Sequence, residues 1–320
     1  MATSSVDVLK FRFGTVVIAS DGEAGNVAYV AVQPGQRAVT HVGVKLPGGH
    51  TVAVPLDRVT EGASHELRVT LTREGLLQAM QPASAEATLL SRNTQVNAGK
   101  LRGSLTQVSM TTQTQQVRHL TVKPGLGGEQ LLSANWITEI SDDGKAINVA
   151  IPAGVEPAPY RSDTDLHDEA HDRLWNYARL RVDLRTVEIR AIDGEIWLRG
   201  FVSSTLNRRI ITELLTDLKG LTAIHNDLVA DNELAVTIAR ALSQDPRTHS
   251  EHIGVYPSLG TVFLRGLANT ETVRDVATQI AATVAPNAKV VNQIAAGRAG
   301  SYIPMLAPVT GTEDIVPGGD

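Results

Sequence analysis

The chain has 320 residues, of which 42% are hydrophobic and 20% are charged, the composition of an ordinary soluble globular protein. Aromatic residues make up only 4%, so the cores must consist of aliphatic side chains. The formal net charge is −5 and no long segment has a basic excess, which removes the attraction that dominates nucleic-acid binding. Cysteine is absent, which excludes disulfides, thiolate nucleophiles, iron–sulfur clusters and cysteine-ligated zinc.

The beginning of the sequence has no apolar run of signal-peptide length. No stretch approaches the roughly 18 apolar residues of a membrane-spanning helix. We therefore expect a cytoplasmic protein.

Residues 13–73 have the pattern of short strands separated by tight turns. Alternating β-branched residues occur in four runs bounded by glycine, proline or aspartate: 15–18, 27–32, 39–44 and 51–56. This spacing predicts an antiparallel all-β unit. A unit this small hides its strand edges most simply by closing into a barrel.

This first unit resembles the PRC-barrel family. The resemblance covers residues 10–75 and depends on four stretches: Gly14–Val17, the turn Ser20–Gly25, the strand Val39–Val42 and the closing segment Val54–Val59. PRC-like barrels are docking modules for protein partners, so the resemblance implies that residues 1–80 bind another protein.

Residues 81–151 contain a degenerate second copy of this unit. The corresponding places are occupied by Gly99, Val117–Leu120 and Ala134–Ile137, and the Asp-Gly turn is replaced by Asn93–Gln95. His41 and His119 share one repeat position. Because a catalytic histidine rarely needs a duplicate, we expect a sheet position that accommodates histidine in both copies.

A proline-rich linker, residues 152–161, precedes a segment of different character. Ser162 or Asp163 can cap a helix whose apolar face reaches Ala178. Two alternating runs then flank Asp193-Gly194, a strong signal for a tight hairpin. A second amphipathic helix and a last strand follow, so residues 162–231 have the order helix, strand, strand, helix, strand, written αββαβ below.

Residues 232–296 repeat this order, and Trp197–Phe201 returns as Phe263–Leu267. Both segments have a glycine after the second strand and resemble the BON domain family, on the stretches Leu198–Val202 and Leu264–Ala268. Tandem copies are typical of that family, and the resemblance implies envelope or phospholipid binding. The glycine- and proline-rich residues 297–320 are predicted to be a disordered tail.

The predicted fold class is therefore mixed all-β and α+β. Two small antiparallel β-barrel units of the PRC type come first, and two αββαβ units of the BON type follow. Because units of this size are marginal alone, we expect them to pack against one another.

The most suggestive short motif is His167-Asp168-Glu169-Ala170-His171. Two histidines four residues apart lie on one helix face, as metal ligands require, but Glu169 falls on the opposite side and no third ligand is evident. His167 and His171 are therefore weak candidates for metal binding, and the solvated face of an amphipathic helix is the favoured interpretation. No catalytic residue and no cofactor are predicted.

Arginines cluster in the first BON-like segment. Arg208 and Arg209 open its second helix, where the positive end of the helix adds to their charge, and Arg199 lies on the strand before it. The three residues are candidates for an anion or lipid headgroup site. The alternative is that they pair with the acidic residues of the same segment.

The resemblances favour a non-enzymatic adaptor or scaffold that docks a protein partner or self-assembles into a homo-oligomer. Two alternatives remain: a peripheral phospholipid-binding stress protein of the BON type, which would contact a membrane surface, and a sensor of a cation or small ligand. A role beside a ribosomal protein partner is a more distant analogy. No direct contact with nucleic acid is expected.

Overall fold

The computed structural model of the protein describes residues 7–33, 35–62, 66–78 and 87–297. The predicted tail, residues 297–320, lies outside this part of the chain except for Gly297. The described chain is rich in strands and has five helices: α1 (Arg73–Gln78), α2 (Asp163–Asn176), α3 (Thr205–Leu215), α4 (Asp231–Gln244) and α5 (Glu271–Val284). None of these helices has the length and apolar composition needed to cross a bilayer.

The strands of the first 160 residues form two curled sheets. Their bounds are β1 (Val8–Arg12), β2 (Val16–Ala19), β3 (Gly22–Gln33), β4 (Ala38–Lys45), β5 (Thr51–Pro55), β6 (Val59–Glu61), β7 (Leu67–Val69), β8 (Thr88–Ser91), β9 (Gln95–Ala98), β10 (Leu101–Thr111), β11 (Val117–Pro124), β12 (Gln130–Ser133), β13 (Ile137–Ile140), β14 (Ala146–Val149) and β15 (Ala158–Pro159).

The first sheet has the strand order β5-β4-β3-β2-β7-β6, with β8 also paired to β3, and the second has β13-β14-β9-β10-β11-β12-β15, with β1 also paired to β10. The four strand runs predicted in residues 13–73 correspond to β2 to β5. Pairing is antiparallel as predicted except for one parallel pair in each sheet, β2 with β7 and β9 with β14.

The two curled sheets exchange strands. Strand β1, which precedes the first repeat, pairs with β10 of the second sheet, and β8, which opens the second repeat, pairs with β3 of the first. The inward side chains consequently form one continuous hydrophobic core, mostly aliphatic, that includes Phe11, Val30, Leu105 and Leu120. This exchange explains how two units too small to be stable alone bury enough apolar surface.

The predicted linker is partly structured. Ala158 and Pro159 form β15, which pairs with Leu131 and Gln130 of β12 at the edge of the second sheet. Proline is tolerated at such an edge because no ladder hydrogen bond is required from its nitrogen. The chain then enters α2, where Ser162 is the N-cap as expected and its hydroxyl accepts a hydrogen bond from the Asp165 N–H at 3.1 Å.

Two segments with the order αββαβ follow. In the first, α2 and α3 accompany β16 (Val187–Ile192), β17 (Glu195–Val202) and β18 (Ala223–Ala230). In the second, α4 and α5 accompany β19 (His252–Ser258), β20 (Thr261–Ala268) and β21 (Lys289–Ala296). Each sheet has its middle strand, β17 or β20, in the centre. As the sequence periodicity predicts, α4 buries Leu234, Ile238 and Leu242, in one core with Val262 and Leu264 of β20.

Three contacts occur in both αββαβ segments. The glycines predicted to follow the second strands, Gly200 and Gly266, lie inside the middle strands β17 and β20. They have φ of +116° and +137°, and a Cβ at either would lie 1.9 Å from the carbonyl oxygen of Thr186 or His252. No residue other than glycine fits such a position, which is the physical reason for the Leu-Arg-Gly repeat.

The second shared contact joins the last strand to the second helix. The amide of Asn226 donates to the Thr212 hydroxyl at 2.7 Å, and Asn292 donates to Thr278 at 2.6 Å. The third joins the first residue of the first helix to the hairpin turn. Asp163 accepts from the N–H of Asp193 at 2.8 Å, and Asp231 accepts from the N–H of Leu259 at 2.9 Å.

The chain divides into two compact units, and the first αββαβ segment contributes to both. One unit comprises Met1–Arg179, Glu188–Leu198 and Ile211–Asp227, and the other comprises Leu180–Val187, Arg199–Ile210 and Leu228–Asp320. The domain limits predicted from the sequence stay predictions.

Candidate functional site

The outer face of the second curled sheet is covered with polar side chains, most of them buried. We call this set the polar seam; strand alternation and register bring together Lys10 and Arg12 of β1, Gln107 and Ser109 of β10, and His119 and Thr121 of β11. The opposite face of the same strands packs into the aliphatic core. Buried polar groups need partners, so what covers the polar seam determines its role.

The turn between β16 and β17 supplies the central partner. Asp193 and Gly194 have φ of +53° and +81°, which confirms the predicted tight hairpin. The Asp193 side chain, however, is not at the surface: the residue is only 1% exposed. Its Oδ2 accepts from the Ser109 hydroxyl at 2.5 Å and lies 2.7 Å from Nδ1 of His119.

The charge of Asp193 is stabilised by its surroundings. Burial alone would raise the pKa of Asp193, but hydrogen bonding and the charge of His119, together with Lys10 and the Ser109 hydroxyl, more than offset that, so the pKa lies below its ordinary value. Asp193 is therefore ionised at neutral pH. Its Oδ1 has no hydrogen-bond partner within the described chain.

Serine, histidine and aspartate meet here, but not as a nucleophilic site. An activated serine hydroxyl needs its proton directed at a histidine nitrogen, whereas Ser109 donates to Asp193 and His119 contacts the same carboxylate oxygen. Ser109 is also almost fully buried. What the three residues can do is join β10, β11 and the β16–β17 hairpin rigidly.

A second group of contacts extends this junction along the sheet of the first αββαβ segment. Glu195 forms an ion pair with Arg118 of β11 and lies 2.8 Å from Nε2 of His225. The His225 ring stacks on Trp197 at 3.8 Å between centroids, and Trp197 is only 9% exposed. Arg118 of β11 thus contacts the outer face of this sheet through Glu195.

Sequence reasoning assigned Asp193 to a turn and His119 to a tolerant sheet position, and it missed their contact. One signal was present: the residue that corresponds to Asp193 in the second segment is Leu259, also at positive φ (+43°). A carboxylate in one copy and an aliphatic side chain in the other indicate different surroundings for the same turn. His41, the repeat counterpart of His119, has no partner for its Nδ1 in the described chain.

The candidate metal ligands are on α2. The rings of His167 and His171 stack with centroids 6.3 Å apart, and His171 stacks on Trp175 at 5.9 Å. Each histidine faces the aspartate that follows it, Asp168 or Asp172. Among the residues that the structure describes, no group of three or more potential ligands has a geometry that could hold a metal ion.

The candidate anion ligands lie apart from the polar seam in the chain. The Arg208 guanidinium forms a bidentate ion pair with Glu233, at 2.7 and 2.8 Å. Arg209 is exposed on α3, and Arg199 is half-buried on β17. Glu233 lies on α4 in the second segment, so this pairing is not the one with acidic residues of the same segment that the sequence offered as the alternative; a role in lipid binding stays a prediction.

A different arginine stands out in the second segment. The Arg265 guanidinium lies over the rings of Tyr256 and Phe263, 5.4 and 5.6 Å from their centroids, and donates to Gln293 at 2.8 Å. Tyr256 is 53% exposed and Leu267 is 44% exposed. We call this surface the aromatic face; it consists of Tyr256 on β19, Phe263, Arg265 and Leu267 on β20, and Val291 on β21.

Comparison with known proteins identifies one part of the chain. Residues 230–298 match the BON domain family, which confirms the sequence prediction for the second αββαβ segment. No curated protein matches the chain.

Two solved structures of CdsD, a structural protein of the type III secretion system of Chlamydia trachomatis, are similar to part of it. One is the CdsD C-terminal domain, with 16% identity, a TM-score of 0.32, and 40% of this chain and 64% of that chain covered. The other has 17% identity, the same TM-score, and coverage of 40% and 60%. The matches thus span less than two thirds of the CdsD chains.

Proposed function

We propose that this chain is a non-enzymatic adaptor whose BON domain docks a protein partner on the aromatic face. The observation that carries the proposal is a difference between two copies of one surface. Trp197 and His225 of the first segment correspond to Phe263 and Val291 of the second. In the first segment Glu195 beside this surface is ion-paired with Arg118 of β11 and Trp197 is buried, whereas in the second Phe263 and Val291 are half-buried and the adjacent Tyr256 and Leu267 are exposed.

The chemistry of the aromatic face suits a protein partner. Arginine and tyrosine are enriched among residues that dominate binding energy at protein interfaces. Tyr256 and Phe263 hold the Arg265 guanidinium in place, so less side-chain entropy is lost when a partner binds.

The charge on each surface indicates what it binds. Both segments have an arginine at the same position, Arg199 or Arg265. The first segment also presents Glu195, which pairs with Arg118, whereas the second has Thr261 at that position and so has no carboxylate there. We therefore expect the partner of the aromatic face to have a carboxylate surrounded by apolar side chains.

The finer fold assignments belong to the same proposal. We infer that the first αββαβ segment is a second copy of the BON fold, because it repeats the glycine, asparagine and aspartate contacts of the second. We further infer that the two curled sheets are PRC-like barrels joined by strand exchange. A cytoplasmic location, and the lack of a cofactor, of catalysis and of nucleic-acid binding, remain part of the proposal.

A photo-crosslinking residue at position 256 tests the docking surface. The full chain with benzoylphenylalanine in place of Tyr256 is irradiated in two settings, alone at increasing concentration and in lysate. The matched control places the same group at Val236, an exposed apolar position on α4 of the same domain. We expect one defined protein adduct at position 256, absent at 236 and abolished by Arg265→Glu but not by Arg240→Glu on α4.

An adduct between two copies of the chain would identify the homo-oligomer as the partner. Equal adducts at both positions, or adducts that persist in Arg265→Glu, would overturn the proposal. Flotation with anionic vesicles that requires Arg265 would overturn it in favour of the membrane-surface alternative.

A further inference from the structure

A cavity of about 260 Å³ adjoins the polar seam where the linker enters α2. The side chains of Lys10 and Arg12 on β1, Gln107 on β10, and Tyr160 and Asp163 at the start of α2 line it, with Glu61 of β6 on another side. Its volume lies near the lower limit for small-molecule sites. The cavity is far in the chain from the aromatic face, and the inference below is independent of the docking proposal.

One lining residue lacks a partner that its burial requires. Gln107 is 3% exposed, and its Nε2 has no hydrogen-bond partner within the described chain. Its Oε1 receives only a long hydrogen bond of 3.4 Å from the Tyr160 hydroxyl. A buried amide donor without a partner is costly, and an acceptor oxygen inside the cavity would remove that cost.

The charges that line the cavity are balanced. Lys10 is ion-paired with Asp163, and Arg12 forms a bidentate pair with Glu129 at 3.0 and 3.1 Å while it lies over the Tyr160 ring at 5.8 Å. Two cationic and two carboxylate side chains thus line the cavity: Lys10, Arg12, Glu61 and Asp163. Such a lining favours neither a bare anion nor a bare cation, because either would leave an uncompensated charge.

The remaining wall is partly apolar. Burial raises the pKa of the Tyr160 hydroxyl despite the nearby charges of Lys10 and Arg12, so the phenol stays neutral and its ring is available for packing. The cavity is therefore lined by a neutral amide donor, a neutral aromatic ring, two positively charged side chains and two negatively charged side chains.

We propose that this cavity is a binding site for a small zwitterion of the amino-acid class. The carboxylate of the ligand accepts a hydrogen bond from Gln107 Nε2, its ammonium group faces Glu61 and Asp163, and its side chain packs on Tyr160. Because Asp163 also accepts from the N–H of Asp193, the bound ligand would stabilise the junction between α2, β1 and the β16–β17 hairpin.

The test is calorimetric titration of the full chain with each proteinogenic amino acid. The tightest binder is then compared with two analogues, one without the amino group and one without the carboxylate. The decisive variant is Gln107→Leu, which removes the amide but keeps a similar volume. Gln95→Leu, at an exposed position on β9, is the matched control.

We expect at least one amino acid to bind, both analogues to bind at least tenfold more weakly, and Gln107→Leu to weaken binding at least tenfold. Gln95→Leu should bind as the wild type does. Without ligand, Gln107→Leu should unfold at the same temperature as the wild type or higher, because it removes an unsatisfied buried donor, which separates lost binding from lost folding.

The absence of heat with every amino acid would overturn the proposal and leave the cavity as a site for ordered water. A deaminated analogue that binds as tightly as its amino acid would overturn the zwitterion class. Undiminished binding in Gln107→Leu would exclude this cavity as the site.

Discussion

The two αββαβ segments have the same internal contacts and use the same surface differently. Each keeps the glycine of its middle strand, its asparagine–threonine hydrogen bond and its aspartate that accepts from the hairpin turn. They differ at the turn residue: Asp193 is buried and hydrogen-bonded to Ser109 and His119, whereas its counterpart Leu259 is aliphatic and cannot form such hydrogen bonds. The contacts inside each segment are thus the same because the backbone geometry requires them, whereas the residues on the outer surface differ between the two segments.

This difference indicates that the two copies of the repeat have different functions. In the first segment the hairpin and the outer sheet face are held by β10 and β11 through charged contacts. In the second the corresponding face keeps aromatic and arginine side chains exposed. One copy therefore anchors to the curled sheets, and we expect the other to be available for a partner.

The largest expected effect comes from exchanging the two turn residues. Asp193→Leu would leave His119 and Ser109 buried without their acceptor, and breaking a buried pair in this way costs about 3–5 kcal/mol of the free energy of unfolding. The reciprocal Leu259→Asp should change it by less than about 1 kcal/mol, because aspartate tolerates positive φ. Urea unfolding measures both, and equal effects would refute the assigned difference between the turns.

The glycines of the two middle strands should be sensitive to substitution to the same degree in both segments. Gly200→Ala and Gly266→Ala each force a Cβ towards a carbonyl oxygen at a φ that alanine rarely adopts, and each should lower the free energy of unfolding by about 2–3 kcal/mol. Gly128→Ala, where a Cβ meets nothing within 4 Å, is the control. A harmless Gly200→Ala beside a damaging Gly266→Ala would show that the first segment does not share the BON backbone.

Much of this architecture could be predicted from the sequence because it depends on local rules. Periodicity predicted α4 over Leu234, Ile238 and Leu242, and the Asp-Gly pair predicted the tight hairpin at Asp193. The exchange of β1 and β8 between the curled sheets could not be predicted, since any amphipathic strand satisfies either edge and only the tertiary arrangement selects one.

The candidate site was harder to predict for a related reason. The Asp-Gly turn pattern fully accounts for an aspartate at position 193, so the neighbouring sequence gave no reason to predict its buried contact with Ser109 and His119. Ser109 and Gln107 are polar residues in an alternating strand, a pattern that ordinarily indicates solvent. Their burial is a property of what covers the sheet, and the covering residues are distant in sequence.

A smaller effect should test whether the asparagine contacts are equivalent. Asn226→Ala and Asn292→Ala each remove a side-chain hydrogen bond to a helix threonine, Thr212 or Thr278. Asn292→Ala also removes the bond to the Arg274 carbonyl and the one from the Ile294 N–H. The free energy of unfolding should fall by about 1 kcal/mol, with the larger loss at Asn292. The two losses should be additive in the double variant because the sites share no partner. Strong non-additivity would indicate that the two segments unfold as one body coupled through these strands.

The smallest expected effect distinguishes the two segments by pH. Burial raises the pKa of Asp231, and the charge of Asp183 adds to this although the Leu259 N–H opposes it, whereas the pKa of Asp193 is lowered. A raised pKa means that the folded state loses stability as the pH rises through the folded pKa, while the stability from a lowered pKa is lost as the pH falls through it. The two aspartates should therefore respond to acid in opposite directions.

Asparagine variants measure the two responses. Asp231→Asn keeps an acceptor for the Leu259 N–H and cannot ionise, so at neutral pH it should be more stable than the wild type by less than about 1 kcal/mol, with the difference vanishing below about pH 4. Asp193→Asn should be less stable than the wild type at neutral pH, and that deficit should shrink in acid. If Asp231→Asn is instead less stable than the wild type at neutral pH, the Asp231 carboxylate acts chiefly as a favourable negative charge at the start of α4. Both aspartates would then stabilise the folded state in their ionised form.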